Sequence, residues 1–387
     1  MFIVLPRTIY YAEATPDAVR HVTDQLSARR ILVVTDKIVA SLKQFQEVIA
    51  SLSRDYEIRV FDEVESEPSI ETARRVAEEA SKHSAEVILA IGGGSVIDAA
   101  KAGLVLYENP SIDLESISPF TPIGVGRKAK LIAVPTTSGT GSDASFGVVL
   151  TKRENGRRKL ALGSYELVPY ATILDIEFTK TMPRELTRNT AVDALSHAVE
   201  AYVAVMSNPF TDSLAEKTVE IIFKHLPILL KDPGNEDSRR ALHLAATMAG
   251  IAFTNAGLGL AHAIAHAVGP KLGLHHGLVV GLILPHIVEF NSSRDSNVRS
   301  KYARLSKIVE EYSGRQPQED FRAHLISFYR DIGHPYRISH LPSPPSKDEW
   351  EKLVPEMAEK AMEDPELAFN PVPVAKEDIE GILKKIY

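Results

Sequence analysis

The chain has 387 residues, 44 Lys and Arg against 51 Asp and Glu, a formal charge of −7, 44% hydrophobic residues and no cysteine. Such a length favours two domains over one core, and the acidic balance argues against a nucleic-acid or anionic-membrane partner, either of which would favour a basic face. Without cysteine there are no disulfides, cysteine zinc sites or thiol catalysis, so any metal must be held by His and carboxylate; the composition fits a cytoplasmic protein.

The N-terminal stretch MFIVLPRTIYYAE has neither a basic leader nor a small-residue cleavage site and reads as an ordered strand. Residues 31–35 (ILVVT) form a short continuous apolar run of the kind that a parallel strand covered on both faces requires. A helical stretch over about 38–53 and a strand at 57–61 follow. Pro68 and Ser69 open a helix in which Ala73, Val76, Ala77 and Ala80 recur at helical spacing. Then come a strand at 87–91, a glycine turn, a helix from Val96 and a strand at 131–134. Strands alternating with helices of this length predict right-handed βαβ units around a parallel sheet.

After about residue 180 the alternation stops. Helical patterns occupy 184–205, 210–230, 236–256, 258–269, 277–291, 296–312 and 317–331, with later pieces separated by proline loops at 342–345 and 370–373. The longest apolar stretch, residues 277–285, is far shorter than the roughly 20 residues of a membrane span. The predicted fold is therefore α/β followed by all-α, with domains at 1–180 and 181–387.

Two turns in the first half carry chemistry. The sequence GGGS at 92–95 follows a strand and precedes a helix, where free N–H groups and the helix dipole suit a diphosphate. It is not the G-x-G-x-x-G fingerprint, and a plain tight turn would look the same. The second turn, PTTSGTGSD at 135–143, also follows a strand and offers a polar nest for ribose and phosphate oxygens. Two such turns at the carboxyl ends of neighbouring strands predict a dinucleotide-binding domain. Asp36 ends the first strand. A carboxylate there can hydrogen-bond the adenosine ribose and repel a 2′-phosphate, favouring NAD over NADP; a simple helix N-cap accounts for it equally well.

The second half carries imidazoles. Asp193 and His197 stand at i and i+4 on one helix, His262 and His266 repeat that spacing, and His275 and His276 sit at a later helix start. A single His on an apolar helix is ordinarily a hydrogen-bonded core residue. Here, however, five of the 13 histidines lie in three short apolar segments, and burying so many polar rings without a common partner is costly. A shared divalent ion removes that cost. One carboxylate with three neutral imidazoles suits Fe(II) or Zn(II), and ligand type alone leaves the metal open.

These motifs together resemble the iron-containing (group III) alcohol dehydrogenases over essentially the whole chain: VTDK at 34–37, AIGGGS at 90–95 with Asp98, PTTSGTGS at 135–142, VDALSH at 192–197, FTNAGLGLAH at 253–262, HG at 276–277 and NPVP at 370–373. The resemblance implies a dehydroquinate synthase-like fold and Asp193, His197, His262 and His276 as ligands of Fe(II), with Zn(II) as the alternative. It implies dinucleotide contacts from Gly93, Gly94, Ser95, Thr136, Thr137, Thr140 and Lys159, with Asp36 at the adenosine ribose and Asp98 orienting the turn. His266 would lie beside the nicotinamide and relay a proton, and Phe146, Gly147 and Phe253 would join it in lining the pocket. Ser138, Asp143 and His275 depart from residues common in the family, Ala, Glu and Pro. His275 adjoins a ligand, but neighbouring helical residues diverge, so His276 is the one assigned.

The implied activity is metal-dependent, NAD(P)-linked oxidation of a small alcohol or diol, or reduction of the aldehyde, by a homodimer or higher homo-oligomer paired through the N-terminal strand. Glycerol dehydrogenase-like, dehydroquinate synthase-like and maleylacetate reductase-like activities are the alternatives, beside a non-catalytic metal- or nucleotide-binding protein. His197 weighs against the first two, whose members usually lack the Asp-x-x-x-His pair.

Overall fold

The computed structural model describes residues 2–11, 13–119, 122–152 and 158–387. It divides into two compact units, Met1–Thr181 and Met182–Tyr387.

The first unit is built on strands β1 (Thr8–Tyr11), β2 (Arg30–Val34), β3 (Glu57–Phe61), β4 (Val87–Gly92), β5 (Lys130–Pro135), β6 (Gly147–Lys152), β7 (Arg158–Gly163) and β8 (Ala171–Leu174). Its helices are α1 (Thr15–Gln25), α2 (Lys37–Ala40), α3 (Lys43–Leu52), α4 (Ile70–His83) and α5 (Gly94–Glu108). Six strands form a parallel sheet in the order β1-β8-β5-β4-β2-β3. The continuous apolar runs are explained by burial on both faces. Ile31, Val33, Leu89, Ile91, Ile132 and Val134 pack against α1 and α3 through Val19, Val22, Phe45 and Leu52. Their alternates Leu32, Val34, Ile88, Ala90, Leu131 and Ala133 pack against α4 and α5 through Val76, Ala80, Val96 and Leu104. Side chains alternate faces along a strand, so one unbroken apolar run fills two cores. The edge strand β3, buried only at Phe61, is the exception.

Pairing sets the carboxyl ends of the central strands level, with Gly92 opposite Pro135 and Val34 opposite Ala90. Asp36, Gly93 and Thr136 therefore leave the sheet along one edge. Several details differ from the sequence reading, which did not anticipate α1 (Thr15–Gln25). The stretch 38–53 is two helices, because Leu42 adopts extended backbone (φ −72°, ψ 140°) and begins α3 afresh. The antiparallel hairpin β6–β7 was not anticipated, although Asn155-Gly156, outside the described residues, is a strong hairpin signal. The four-residue β8 was also missed; it pairs with β1 inside this chain.

The second unit is helical: α6 (Arg184–Val203), α7 (Pro209–Lys231), α8 (Glu236–Ala256), α9 (Leu260–Leu272), α10 (His276–Arg294), α11 (Ser296–Ser313), α12 (Phe321–Ile332), α13 (Lys347–Met362) and α14 (Lys376–Lys385). Helix α9 runs past Pro270, beyond the expected end at 269, while α10 contains Pro285 as expected and ends three residues later than 291. From Asn189 to Val203 every residue of α6 is buried, so this helix is the centre of the unit. Among the described residues no single helix is long and apolar enough to cross a membrane; α8 and α9 pass that test only as a pair bent by 111°.

Helix α10 seats directly on α6 because two of its residues lack side chains. A Cβ on Gly277 would meet the Asn189 carbonyl and stand 3.0 Å from Asp193 Cβ, and one on Gly281 would collide with Val192 and stand 2.8 Å from His334 Cε1. Close-packed interiors accommodate such an addition only by displacing their neighbours. Gly281→Ala is expected to cost about 1–3 kcal/mol in urea unfolding; a stability equal to wild type would contradict this account of the α6–α10 contact.

Candidate functional site

Helix α6 presents Asp193 and His197 one turn apart, α9 presents His262 and His266 likewise, and α10 begins with His276. One ligand atom from each of Asp193, His197, His262 and His276 lies within 4.8 Å of the others. Asp193 Oδ1 is 3.6 Å from His276 Nε2 and 4.0 Å from His197 Nε2. The His197 and His262 rings stack at 4.6 Å, and His262 and His276 are 5.3 Å apart. Asp193, His197 and His262 are buried, while His276 keeps part of its ring exposed.

Three helix contacts bring these side chains together. Gly277 lets α10 reach α6, as described above. Gly257, at φ +86°, turns the chain between α8 and α9 in a conformation that favours glycine. Asn370, from the NPVP segment, accepts the Leu260 N–H at 3.3 Å and donates to Asn291 Oδ1 at 3.1 Å and to the Val372 carbonyl at 2.9 Å, joining the C-terminal segment to α9 and α10.

The electrostatics of the cluster are those of a cation site. Burial pushes the Asp193 carboxyl up to about 7. Burial, with the charge of His266, lowers His262 to about 3, and burial with the surrounding imidazoles puts His276 well below its usual value. The two imidazoles are thus neutral and keep a lone pair. Asp193 Oδ1 and His262 Nε2 are buried without a hydrogen-bond partner. A divalent ion suits this set: it favours the ionised carboxylate, accepts the imidazole lone pairs, and needs no sulfur ligand.

His266 stands outside the four. Burial lowers its basicity, but its Nδ1, 2.7 Å from Asp364 Oδ2, and the nearby Glu366 and Glu200 raise it overall. Its ring stacks on His276 at 5.3 Å. Phe253 lies 4.7 Å from the His197 ring. His275 is the extended N-cap residue of α10 and lies outside the ligand group, so it is chain entry into the helix, rather than divergence along it, that separates His275 from His276. Sequence reasoning missed Glu200, Asp364 and Glu366. Glu200 is hydrogen-bonded to His262 Nδ1, and burial pushes Glu200 to about 8 and Glu366 to about 7. Glu200 had a signal, since it follows His197 by three residues on the same helix. Asp364 and Glu366 had none, lying about a hundred residues from their partners.

In the α/β unit the two polar turns touch. Gly93 is the N-cap of α5. A Cβ on Gly93 would stand 3.4 Å from Thr137 Cγ2, and one on Gly94 2.8 Å from Thr140 Cγ2. The Thr136 N–H donates to the Gly92 carbonyl at 3.0 Å. Ser95 Oγ donates to the Ser66 carbonyl at 2.6 Å, and Lys159 Nζ reaches Glu67 and Thr151, each at 3.3 Å, so Ser95 and Lys159 meet the same loop. Asp36 caps α2, accepting from Ile38 N at 2.8 Å and Val39 N at 2.9 Å.

Asp98 is buried in α5, where it accepts the Val149 N–H at 2.9 Å and meets the Ser142 side chain of the second turn, so it faces both the β6–β7 hairpin and that turn. Beside it is a buried lysine that the sequence reading passed over. Lys101 donates to the carbonyls of Ser145 at 2.7 Å and Gly147 at 3.0 Å, and burial lowers it to about 8 against the pull of Asp98 and Asp143. Phe146 packs on Tyr165 at 5.2 Å, and Gly147 begins the hairpin.

A parallel sheet with two polar turns at its carboxyl edge, followed by a helical unit carrying one carboxylate and three imidazoles, is an arrangement suited to a metal-dependent, nicotinamide-linked oxidoreductase. Residues 6–176 match the iron-containing alcohol dehydrogenases, and residues 187–387 match the C-terminal part of the Fe-containing alcohol dehydrogenase family. An alcohol dehydrogenase of Thermococcus barophilus is 35% identical over 338 residues, covering 86% of this chain and 85% of that one. An NADPH-dependent butanol dehydrogenase of Clostridium saccharobutylicum is 32% identical over 395 residues, covering 100% and 98%. The solved structure of the iron-containing alcohol dehydrogenase from Thermococcus thioreducens superposes with a TM-score of 0.89 at 32% identity, covering 100% and 99%. The chain belongs to the iron-containing alcohol dehydrogenase family, and its fold is the dehydroquinate synthase-like one.

The contact between the two turns yields a prediction. Gly94→Ala places a methyl against Thr140 and is expected to weaken nicotinamide dinucleotide binding by roughly tenfold or more, about 1.4 kcal/mol. Fluorescence titration with the reduced dinucleotide measures this, and wild-type affinity would contradict a role for the paired turns.

Proposed function

We propose that this chain is an NAD(P)-linked alcohol dehydrogenase and aldehyde reductase for a small alcohol or diol, with Asp193, His197, His262 and His276 holding one divalent ion, Fe(II) by family or Zn(II). The observation that carries the reading is the convergence of four ligand atoms within 4.8 Å in a buried site. An ion bound there supplies a Lewis acid for the alcohol or carbonyl oxygen. The chain's own residues do the rest. Asp193 balances the charge, and the neutral imidazoles give their lone pairs without bringing further positive charge. Asp364 occupies Nδ1 of His266, which leaves Nε2 as the atom to take or give the proton that accompanies oxidation or reduction.

The α/β unit is the dinucleotide-binding domain in this reading. Gly93, Gly94 and Ser95 offer the start of α5 to the diphosphate, Thr136, Thr137 and Thr140 meet phosphate or ribose oxygens, and Lys159 provides a cation. Hydride transfer is the cofactor's chemistry; the protein fixes its position. Asp36 favours NAD over NADP, its carboxylate facing the adenosine ribose while it caps α2. We extend the proposal to a cytoplasmic homodimer or higher homo-oligomer, supported by the exposed Phe2, Ile3 and Leu5 just ahead of edge strand β1.

Nicotinamide oxidation or reduction across a panel of primary alcohols, diols and aldehydes, in metal-loaded protein, tests the reaction; no turnover with any of them would refute it. His262→Ala is expected to lose metal and activity together, measured by elemental analysis and initial rates, and full activity in a metal-free variant would overturn the ligand assignment. Asp36→Gly keeps most of the cap's stability, since glycine costs only a few tenths of a kcal/mol there. It is expected to raise kcat/KM for NADP relative to NAD. An unchanged ratio would reduce Asp36 to a cap.

A further inference from the structure

The side chain that ties two of the metal-centre helices together is not itself one of the four ligands. Glu200 lies just under one turn beyond His197 on α6 and is 3% exposed. Its Oε1 accepts the Ala261 N–H at 2.7 Å, and its Oε2 is hydrogen-bonded to His262 Nδ1. Both contacts fall in the first turn of α9, whose N-cap residue, Gly259, makes no side-chain cap. First-turn N–H groups need acceptors from elsewhere, so a carboxylate from α6 does the capping and grips the imidazole in the same contact. Gly259 leaves it room: a Cβ there would stand 3.1 Å from Glu200 Oε1 and 3.0 Å from Asn370 Oδ1. At φ −177° the backbone is extended, so space rather than torsion calls for glycine.

We propose that Glu200 is a positioning residue for the metal centre, holding the His262 proton on Nδ1 so that the Nε2 lone pair faces the ligand atoms of Asp193, His197 and His276. The inference rests on the metal reading above. An imidazole protonated at Nδ1 is unprotonated at Nε2, the atom that lacks a hydrogen-bond partner in the structure. The opposite tautomer would aim an N–H at the ion. Burial raises Glu200 in the metal-free chain, but a cation at Nε2 favours its ionised form, and a carboxylate on the far nitrogen of a ligating histidine selects the first arrangement and fixes the ring's orientation.

Glu200→Gln separates the two roles. The amide oxygen continues to accept from Ala261 N, while the amide NH2, now facing His262 Nδ1, needs an acceptor there and drives the imidazole proton to Nε2. Zn(II) binding to the full chain, measured by competition with a chromogenic chelator, reads the tautomer, and the thermal midpoint of metal-free protein reads the fold. Glu200→Gln is expected to bind Zn(II) about 10- to 100-fold more weakly, with a metal-free midpoint close to wild type. Gly259→Ala, which crowds the carboxylate without removing it, is expected to weaken binding in the same direction, and it decides the matter alone if Glu200→Gln fails to fold. Wild-type affinity in both variants overturns this inference while leaving the ligand set standing. A wild-type chain that takes up no Zn(II) overturns the metal reading and this inference with it.

Discussion

A carboxylate buried beside neutral imidazoles is the constraint around which the helical unit is organised. Charge taken out of water is costly unless it is paired, and nothing cationic in the chain hydrogen-bonds Asp193 Oδ1 among the described residues. Protonation, or a cation, must supply the balance. The first is visible in the rise of the Asp193 carboxyl toward neutrality. The second also gives the lone pairs of the neutral His262 and His276 a partner, which protonation of the carboxyl does not. One ion therefore relieves several unfavourable burials at once.

Placing those groups within reach of one another is a backbone problem. Helix α6 brings Asp193, His197 and Glu200 to one region through simple helical spacing. The other ligands arrive on α9 and α10, and each approach depends on a missing side chain: Gly259 beneath Glu200 and Asn370, and Gly277 against Asn189 and Asp193. Asn370 then ties the C-terminal segment to the same junction. Residues that never meet the ion thus decide where its ligands stand.

Much of this was legible in the sequence. The parallel sheet could be read from short unbroken runs such as ILVV and VILAI, which burial on both faces requires, alternating with helices. The i, i+4 pairs of Asp193 with His197 and of His262 with His266 placed candidate ligands on common helix faces. What was not legible depends on contacts across long separations. Asp364 pairs with His266 across 98 residues, and Glu200 pairs with His262 across 62; no local pattern records either pairing, although spacing from His197 marks Glu200 itself. Lys101 was overlooked for a different reason: a lysine in a helix normally reads as solvated, but α5 is buried from Val96 to Leu106, and its surroundings reveal Lys101 as a buried donor to Ser145 and Gly147. Asp36 remained two-sided in the sequence, and the structure displays its capping half directly.

The account's central claim is that three imidazoles and one carboxylate hold a single ion in the helical unit. X-ray absorption on zinc-loaded protein tests it most directly. The account predicts an inner shell of nitrogen and oxygen at about 2.0–2.2 Å, with outer-shell scattering from three imidazole rings. An all-oxygen shell without imidazole scattering would place the metal on surface carboxylates and contradict the claim.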